Sequence, residues 1–388
     1  MEKKKVAFIV AIPGTADAFL KEHFVYLLKE YEVHLIANYE GSEDLKKEFE
    51  KMGVICHQAP IVRKINLKSD LKALFVVKKI FKLGKFECVH SVTPKAGFLT
   101  ALAGKLAGVP NRVHIFTGQV WATRKGGVRM MLKMMDKMIA MLDTRLLVDG
   151  EGQRQFLIKE GVLSEKNSIV PANGSIAGIK LEMFVISKEV RKEERQKLGI
   201  KDDEVVYIFL GRLNHDKGVG EIFEAFNRLV MECPKARLLF YGTDEEGYDQ
   251  KVKNYPNIKR GENYFYPGLT RTPFKSLQAG DVFVLPTWRE GFGMSVLESQ
   301  ALGLPVITSD AYGVVDASVE GVTGLRCKVN DPNSLYCVMK QYYENADIRK
   351  IHGLAGRKRV EEKFNNAVVS KAWLGIYKEM LEKTSHQI

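Results

Sequence analysis

Arg212 and Lys217 stand five residues apart in Gly211-Arg-Leu-Asn-His-Asp-Lys-Gly218, a glycine-bounded turn between an apolar run ending at Leu210 and a helix pattern beginning near Val219. Such a turn before a helix N-terminus suits an anion, and the two cations can converge on one diphosphate, Arg212 as a planar fork and Lys217 as a point charge. A solvated basic turn explains the same residues taken alone. Further along, Glu290-Gly-Phe-Gly-Met-Ser-Val-Leu-Glu298 follows an apolar run over residues 282–286 and opens a second helix. Gly291 and Gly293 let backbone N–H groups come close to a ligand, the helix N-terminus favours phosphate, and carboxylates accept hydrogen bonds from sugar hydroxyls. Two carboxylates facing each other would instead make the acid/base pair of a glycosidase. The amide-rich turn between them suits a nucleotide sugar better. A helix cap and an exposed helix glutamate explain either carboxylate separately, but not the whole segment.

The first half offers His90-Ser-Val-Thr-Pro-Lys-Ala-Gly97, Val113-His-Ile-Phe-Thr-Gly118 and Asn173-Gly-Ser. Thr93 and Lys95 sit where a helix would start and are candidates for binding an acceptor phosphate. His90 and His114 lie on apolar runs and read as satisfied core histidines. The Asn-Gly-Ser triplet matches a glycosylation acceptor, yet it fits an interdomain turn better.

These residues need elements to hold them. Short apolar runs over 6–12, 33–37, 88–90, 113–116, 144–148 and 168–171 alternate with amphipathic stretches, as in a parallel sheet with crossover helices. The pattern restarts with runs over 205–210, 236–241, 282–286 and 305–308, so the expected fold is α/β with two doubly wound halves. A boundary is expected between about Asn173 and Lys201, where Asn-Gly-Ser precedes the charged run Ser187-Lys-Glu-Val-Arg-Lys-Glu-Glu-Arg. Domains are expected over 1–180 and 181–365, and the stretch 360–383 reads as one or two helices. A length of 388 residues accommodates two cores, and 45% hydrophobic and 27% charged residues describe an ordinary globular chain.

Charge is unevenly spread. Of a formal +12, residues 1–185 carry +10. Residues 63–85 hold eight basic side chains against Asp70 alone, and residues 124–145 hold six against Asp136 and Asp143. Both stretches are also amphipathic, the second with Met130, Met131, Met134, Met135, Met138 and Met141. Surface helices with solvated lysines explain each singly; together they point as well to an anionic membrane surface as partner. The five cysteines form no C-x-x-C pair, which argues against structural zinc or a disulfide framework and for a reducing compartment. The basic start and the apolar run 6–12 imitate a signal peptide, but a run ended by Pro13-Gly14-Thr15 also reads as a buried strand entering a glycine turn, the favoured reading. No apolar run approaches the ~18 residues of a spanning helix, so the expectation is a soluble or peripheral protein.

Taken together, the chain resembles the retaining glycosyltransferases of GT-B fold in family 4. In that family an E-x7-E element follows a strand ending in proline, and Gly-Arg-Leu with a nearby Lys-Gly precedes it by about eighty residues; both occur here in that order. The first-half motifs are similar to those of members that extend lipid-linked saccharides in capsule, O-antigen or protein-glycosylation pathways. The resemblance implies two Rossmann-like domains facing across a cleft that holds the active site, with the stretch 366–388 a helix crossing back to the first. It implies that Arg212 and Lys217 neutralise the donor diphosphate, that Glu290 holds the transferred sugar, and that amides around Phe292, Gly293, Met294 and Ser295 touch diphosphate or sugar. Glu298 would accept the ribose hydroxyls, and the base would lie against Gly242-Thr243-Asp244 and Gly268-Leu269-Thr270. Gly14 would let diphosphate or acceptor approach the backbone. Thr93, Lys95, His114, Thr117 and Gly118 would face the acceptor. Many members carry His-Gly where this chain has Thr117-Gly118, and a front-face retaining transfer needs no protein base because the leaving phosphate takes the acceptor proton.

No Asp-x-Asp motif occurs, so metal independence is expected, with a UDP-sugar as donor substrate and no cofactor. The implied acceptor is a polyprenyl-diphosphate-linked saccharide, reached from the cytoplasmic face of the cell membrane. A same-fold transferase with a soluble acceptor and a nucleotide-sugar epimerase are the nearer alternatives. A nucleic-acid-binding module is the alternative from another class; its phosphodiesters would meet two carboxylates at the second-half site, and no groove-reading or stacking motif is present, so no nucleic-acid partner is expected.

Overall fold

The computed structural model describes residues 3–62 and 66–385. Arg63 and Lys64, the start of the first basic stretch, lie outside the described residues. The chain divides into two compact units: residues up to Gly178 together with those from Asn366 onward, and Ile179–Asn365.

The first unit contains a wholly parallel sheet of β1 (Lys5–Ile9), β2 (Glu32–Ala37), β3 (Ile55–Gln58), β4 (Cys88–Ser91), β5 (Asn111–Phe116), β6 (Arg145–Val148) and β7 (Ser168–Ile169), in the order β3-β2-β1-β4-β5-β6-β7. Helices connect the strands, so both sheet faces are covered and the central strands read as unbroken apolar runs. Val6, Ala7, Phe8 and Ile9 of β1 are wholly buried. β1 ends earlier than the apolar run that announced it. Pro13 opens the helix Pro13–Phe19 instead of a glycine turn, and Gly14 sits inside that helix with nothing within 4 Å of where a Cβ would stand.

The second unit repeats the winding with β8 (Val205–Leu210), β9 (Ala236–Tyr241), β10 (Tyr264–Gly268), β11 (Val282–Leu285), β12 (Val306–Ser309) and β13 (Gly324–Cys327), in the order β10-β9-β8-β11-β12-β13. In both sheets the winding reverses beside the first strand, between β1 and β4 and between β8 and β11. The crevice outside the carboxyl ends of strands at such a reversal is where doubly wound folds bind ligands. Apart from His114, within β5, and Gly268, the last residue of β10, the candidate residues are found on loops that leave this end of a sheet or on helices that follow them.

Two features go beyond what the sequence pattern announced. The charged run after Ser187 is a helix, Lys188–Leu198, capped by the Ser187 hydroxyl, which accepts from the Val190 amide at 3.2 Å. It is anchored by Arg195, 1% exposed, which donates to the carbonyls of Lys201 (2.5 Å) and Glu204 (2.7 Å) and pairs with Asp281 at 3.2 Å. Its charges therefore do structural work inside the second unit, just past the boundary at Gly178 and Ile179. The strands β3, β10 and β13 were not foreseen either; each lies at a sheet edge, where one side is unpaired and the apolar run is short or mixed.

The C-terminal helix Asn366–Ser385 belongs to the first unit. Its Trp373 stacks on His23 with ring centroids 4.1 Å apart, and the Tyr377 hydroxyl meets Nδ1 of His90 at 2.5 Å. Burial holds His90 well below the usual histidine range and His23 down to about 4, so both are neutral core groups.

Candidate active site

In the second unit the loops after β8 and β11 are sewn together. The Thr287 hydroxyl and the Trp288 amide both donate to the Asp216 carbonyl at 2.8 Å, and Arg289 pairs with the Asp216 carboxylate at 2.7 Å. The Trp288 indole donates to Glu221 at 2.9 Å. Gly218, at φ +71, lies so close to the Pro286 carbonyl that a Cβ would stand 2.2 Å from its oxygen. Only glycine meets both demands. These ties bring Lys217 and Glu290, 73 residues apart, into an ion pair in which each side chain is less than one-fifth exposed. Asp216, Thr287, Trp288 and Arg289 were missed in the sequence. Their adjacency to Lys217 and Glu290 was the only signal, because the ties between them are long-range.

Beyond Glu290 the chain passes Gly291 and Phe292 and reaches Gly293, at φ +107, which starts the helix Met294–Ala301. The carbonyl of Glu290 is packed so tightly on Gly313 that a Cβ there would lie 2.2 Å away, which fixes the turn from behind. The helix presents its N-terminus, with Met294 and Ser295 in its first turn, at the end of the sheet where an anion is favoured. Glu298 follows one turn later. Burial pushes its carboxyl up to about 7. A desolvated carboxyl without an opposing cation is costly unless a ligand supplies hydrogen bonds. Glu290 faces the Lys217 ammonium and not a second carboxyl, unlike the facing carboxyl pair of a glycosidase.

The remaining candidates form an arc over β8, β9 and β10. Gly242, at φ +144, is pressed against Gly211, where a Cβ would stand 1.7 Å from the carbonyl oxygen, and its amide donates to the Gly268 carbonyl at 3.0 Å. The Leu213 amide donates to the Thr243 carbonyl at 2.9 Å. The structure thus places Gly242, Thr243 and Gly268 beside the Arg212 loop. Asp244, expected near the base, uses its carboxylate to accept from the amides of Glu246, Tyr248 and Asp249 at 2.9–3.2 Å, which makes it the organiser of its own loop. Thr270 bonds Ser276 at 2.8 Å, and Leu269 is 70% exposed. Arg212 and Lys217 do not converge here: Arg212 donates from Nη1 to both carboxylate oxygens of Glu245 at 3.0 Å, while Lys217 holds Glu290.

In the first unit a cavity of about 390 Å³ lies at the carboxyl ends of β1 and β4, with Ile12, Thr93, Lys95, Trp121 and Asp136 in its wall. Lys95 pairs with Asp70 at 2.6 Å. The Trp121 indole donates to Asp136 at 2.7 Å, and burial raises the Asp136 carboxyl to about 7. Neither Trp121 nor Asp136 was singled out as a site residue. His114 is the core histidine that its apolar run suggested, and this corrects the acceptor contact implied by the resemblance. It is buried, bonded to the Ser91 hydroxyl at 2.8 Å and covered by Gly97, where a Cβ would meet its ring at 2.5 Å. Thr117 and Gly118, just after β5, are half-buried.

Among the described residues no group of three or more His, Cys, Asp or Glu is placed to hold a metal ion, and no helix is long and apolar enough to cross a membrane. Residues 190–359, which contain both glycine turns, match the family model of glycosyl transferases group 1. This segment is a group 1 glycosyltransferase domain. The whole glycosyltransferase chain is 28% identical over 384 residues to the capsular polysaccharide biosynthesis glycosyltransferase CapM of Staphylococcus aureus, covering 99% of each. It is also 28% identical to the UDP-Gal:alpha-D-GlcNAc-diphosphoundecaprenol alpha-1,3-galactosyltransferase of Escherichia coli, over 86% of each chain. Its fold is the GT-B fold, shared with the Anabaena protein HepE crystallised with UDP and glucose, at a TM-score of 0.81, 14% identity and coverage of 97% of this chain and 100% of that one.

Proposed function

We propose that this glycosyltransferase is a retaining enzyme of family 4 that moves a hexose or N-acetylhexosamine from a UDP-sugar to a polyprenyl-diphosphate-linked saccharide, in the assembly of a capsule or related surface glycan. The observation that carries the proposal is the Lys217–Glu290 pair, held at the winding reversal of the second sheet beside a glycine-started helix N-terminus. Donor entry exchanges that pair for two ligand contacts: Lys217 turns to the diphosphate and Glu290 to the sugar hydroxyls. Arg212 adds a second cation, and Glu298 accepts the ribose hydroxyls. The C1–oxygen bond to the diphosphate then breaks as a bond forms on the same face to an acceptor hydroxyl, and the acceptor proton passes to the leaving diphosphate. Cations fixed where this charge develops supply the catalysis that a metal provides elsewhere.

The named relatives support the acceptor class, since the Escherichia coli enzyme acts on a diphosphoundecaprenol-linked sugar. Support for residence at a membrane surface comes from the helices Leu67–Gly84 and Gly126–Leu142. On them Leu71, Phe75, Leu83, Met130, Met134 and Met141 are each at least half exposed and alternate with lysines. The test is transfer from a panel of UDP- and GDP-sugars to a lipid-linked monosaccharide in EDTA, with the product anomer read by NMR. Retention with a UDP-sugar and no metal is expected. Inversion, or a strict metal requirement, would overturn the mechanism, and transfer only to a soluble sugar would overturn the acceptor.

A further inference from the structure

Two cavities of the first unit meet at Lys95 and Met135. One is the 390 Å³ space at the ends of β1 and β4; the other, about 440 Å³, is walled by Leu74, Phe98, Leu102 and Met131 from the helices Leu67–Gly84, Pro94–Ala107 and Gly126–Leu142. Each is as large as a small-molecule site. Among the described residues in the wall of the second, Asp70 and Lys95 are the only charged ones, and they are mostly buried. Beside them Thr93 adopts φ +79, and its hydroxyl is buried with no hydrogen-bond partner among the described residues. Backbone strain and an unsatisfied buried hydroxyl at one residue mark a place that a ligand completes. Polar groups therefore gather at the junction, and hydrocarbon lines the space beyond it. Leu71 and Met131 on the rim are 55% and 51% exposed, so a chain longer than the cavity has an apolar path to leave by.

We propose that the joined cavities bind the lipid end of the acceptor: an isoprenoid chain lies between the three helices, its phosphate head meets Thr93 and Lys95, and its saccharide occupies the space at the ends of β1 and β4. This rests on the proposal of a lipid-linked acceptor. The head group replaces Asp70 as the anion on Lys95, so the buried ammonium stays neutralised when the ligand arrives. Free phosphate makes the head contacts alone and leaves the apolar cavity unfilled, so the chain supplies most of the affinity.

The test is calorimetry with geranylgeranyl phosphate, below its aggregation concentration, on the full chain and on Leu74→Trp and Leu102→Trp, with inorganic phosphate as the head-only probe. UDP binding and a thermal melt check that each variant is folded. The native chain should bind the probe, and each indole in the cavity should weaken binding about tenfold or more. Inorganic phosphate at the same concentration should not compete. Absence of probe binding, equal binding by both folded variants, or competition by inorganic phosphate would overturn the proposal. If the probe binds and the filled variants lose it while no lipid-linked saccharide receives sugar, the cavity assignment stands and the acceptor proposal falls.

Discussion

The ammonium of Lys217 is held by the carboxylate of Glu290, and nothing local explains the meeting of two residues on loops after different strands. It follows from parallel pairing of β8 with β11, which brings their carboxyl ends side by side, and from Asp216, which receives hydrogen bonds from Thr287 and Trp288. Lys217→Ala should therefore lower kcat by about 10²–10³-fold, as loss of one fixed charge-stabilising donor does. Steady-state kinetics with the UDP-sugar will show it, and an unchanged kcat would remove Lys217 from the chemistry.

Glu298 should give the site a pH signature. Its carboxyl is raised from 4.5 to about 7 in the folded chain, so folding favours the protonated form. The stabilisation this gives is complete below pH 4.5 and is lost as pH rises through 7. Glu298→Gln should accordingly lose less stability than the native chain between pH 5 and pH 8 in denaturant titrations. UDP affinity should also rise more steeply over that range in the native chain than in the variant, because only the carboxylate is a full acceptor for the ribose diol. Parallel curves would show that Glu298 does not face the nucleotide.

The close approach of the two loops can be tested with alanine. Gly247→Ala, at φ +70 with open space around it, should cost about 1 kcal/mol from backbone conformation alone. Gly218→Ala adds a collision with the Pro286 carbonyl and should cost roughly 2–4 kcal/mol and abolish transfer. Equal thermal shifts in the two variants would mean the loops are not fixed to one another.

Much of this was written in the sequence, and what was not has physical causes. Central strands such as β1 and β8 are buried on both faces, so their apolar runs stood out. The edge strands β3, β10 and β13 carry polar or mixed residues such as His57 and Arg326, which a search for apolar runs passes over. Lys217, Glu290 and Glu298 could be named as candidates because glycine turns before helices have a fixed chemistry. The roles of Asp216, Glu245 and Asp136 were not, since each depends on a partner 15 or more residues away. The helix Lys188–Leu198 was hidden by its own charge, because Arg195 is buried by ion pairing and not by hydrophobicity.

That helix gives a stability prediction. Arg195→Met leaves Asp281 short of a buried cation and the carbonyls of Lys201 and Glu204 without their donor, and should cost about 3–5 kcal/mol in urea unfolding. A loss below 1 kcal/mol would mean that Arg191, which also pairs with Asp281 at 2.6 Å, takes over the whole role.

Attachment to an anionic membrane should depend on the exposed lysines of the helix Leu67–Gly84. Replacing Lys72, Lys79 and Lys82 by glutamate should weaken binding to phosphatidylglycerol vesicles by about a hundredfold or more, at about 1 kcal/mol for each lysine. Vesicle flotation reads this directly, and undiminished flotation would move the contact elsewhere on the chain.

The donor site itself is tested most directly by titration calorimetry of UDP and GDP in EDTA, on the native chain and on Arg212→Ala, Lys217→Ala and Glu298→Ala. One UDP bound per chain without metal, weakened by all three substitutions and not replaced by GDP, is the expected result. Failure of UDP to bind, or binding that all three variants retain in full, would contradict the placement of the nucleotide sugar at the ends of β8 and β11.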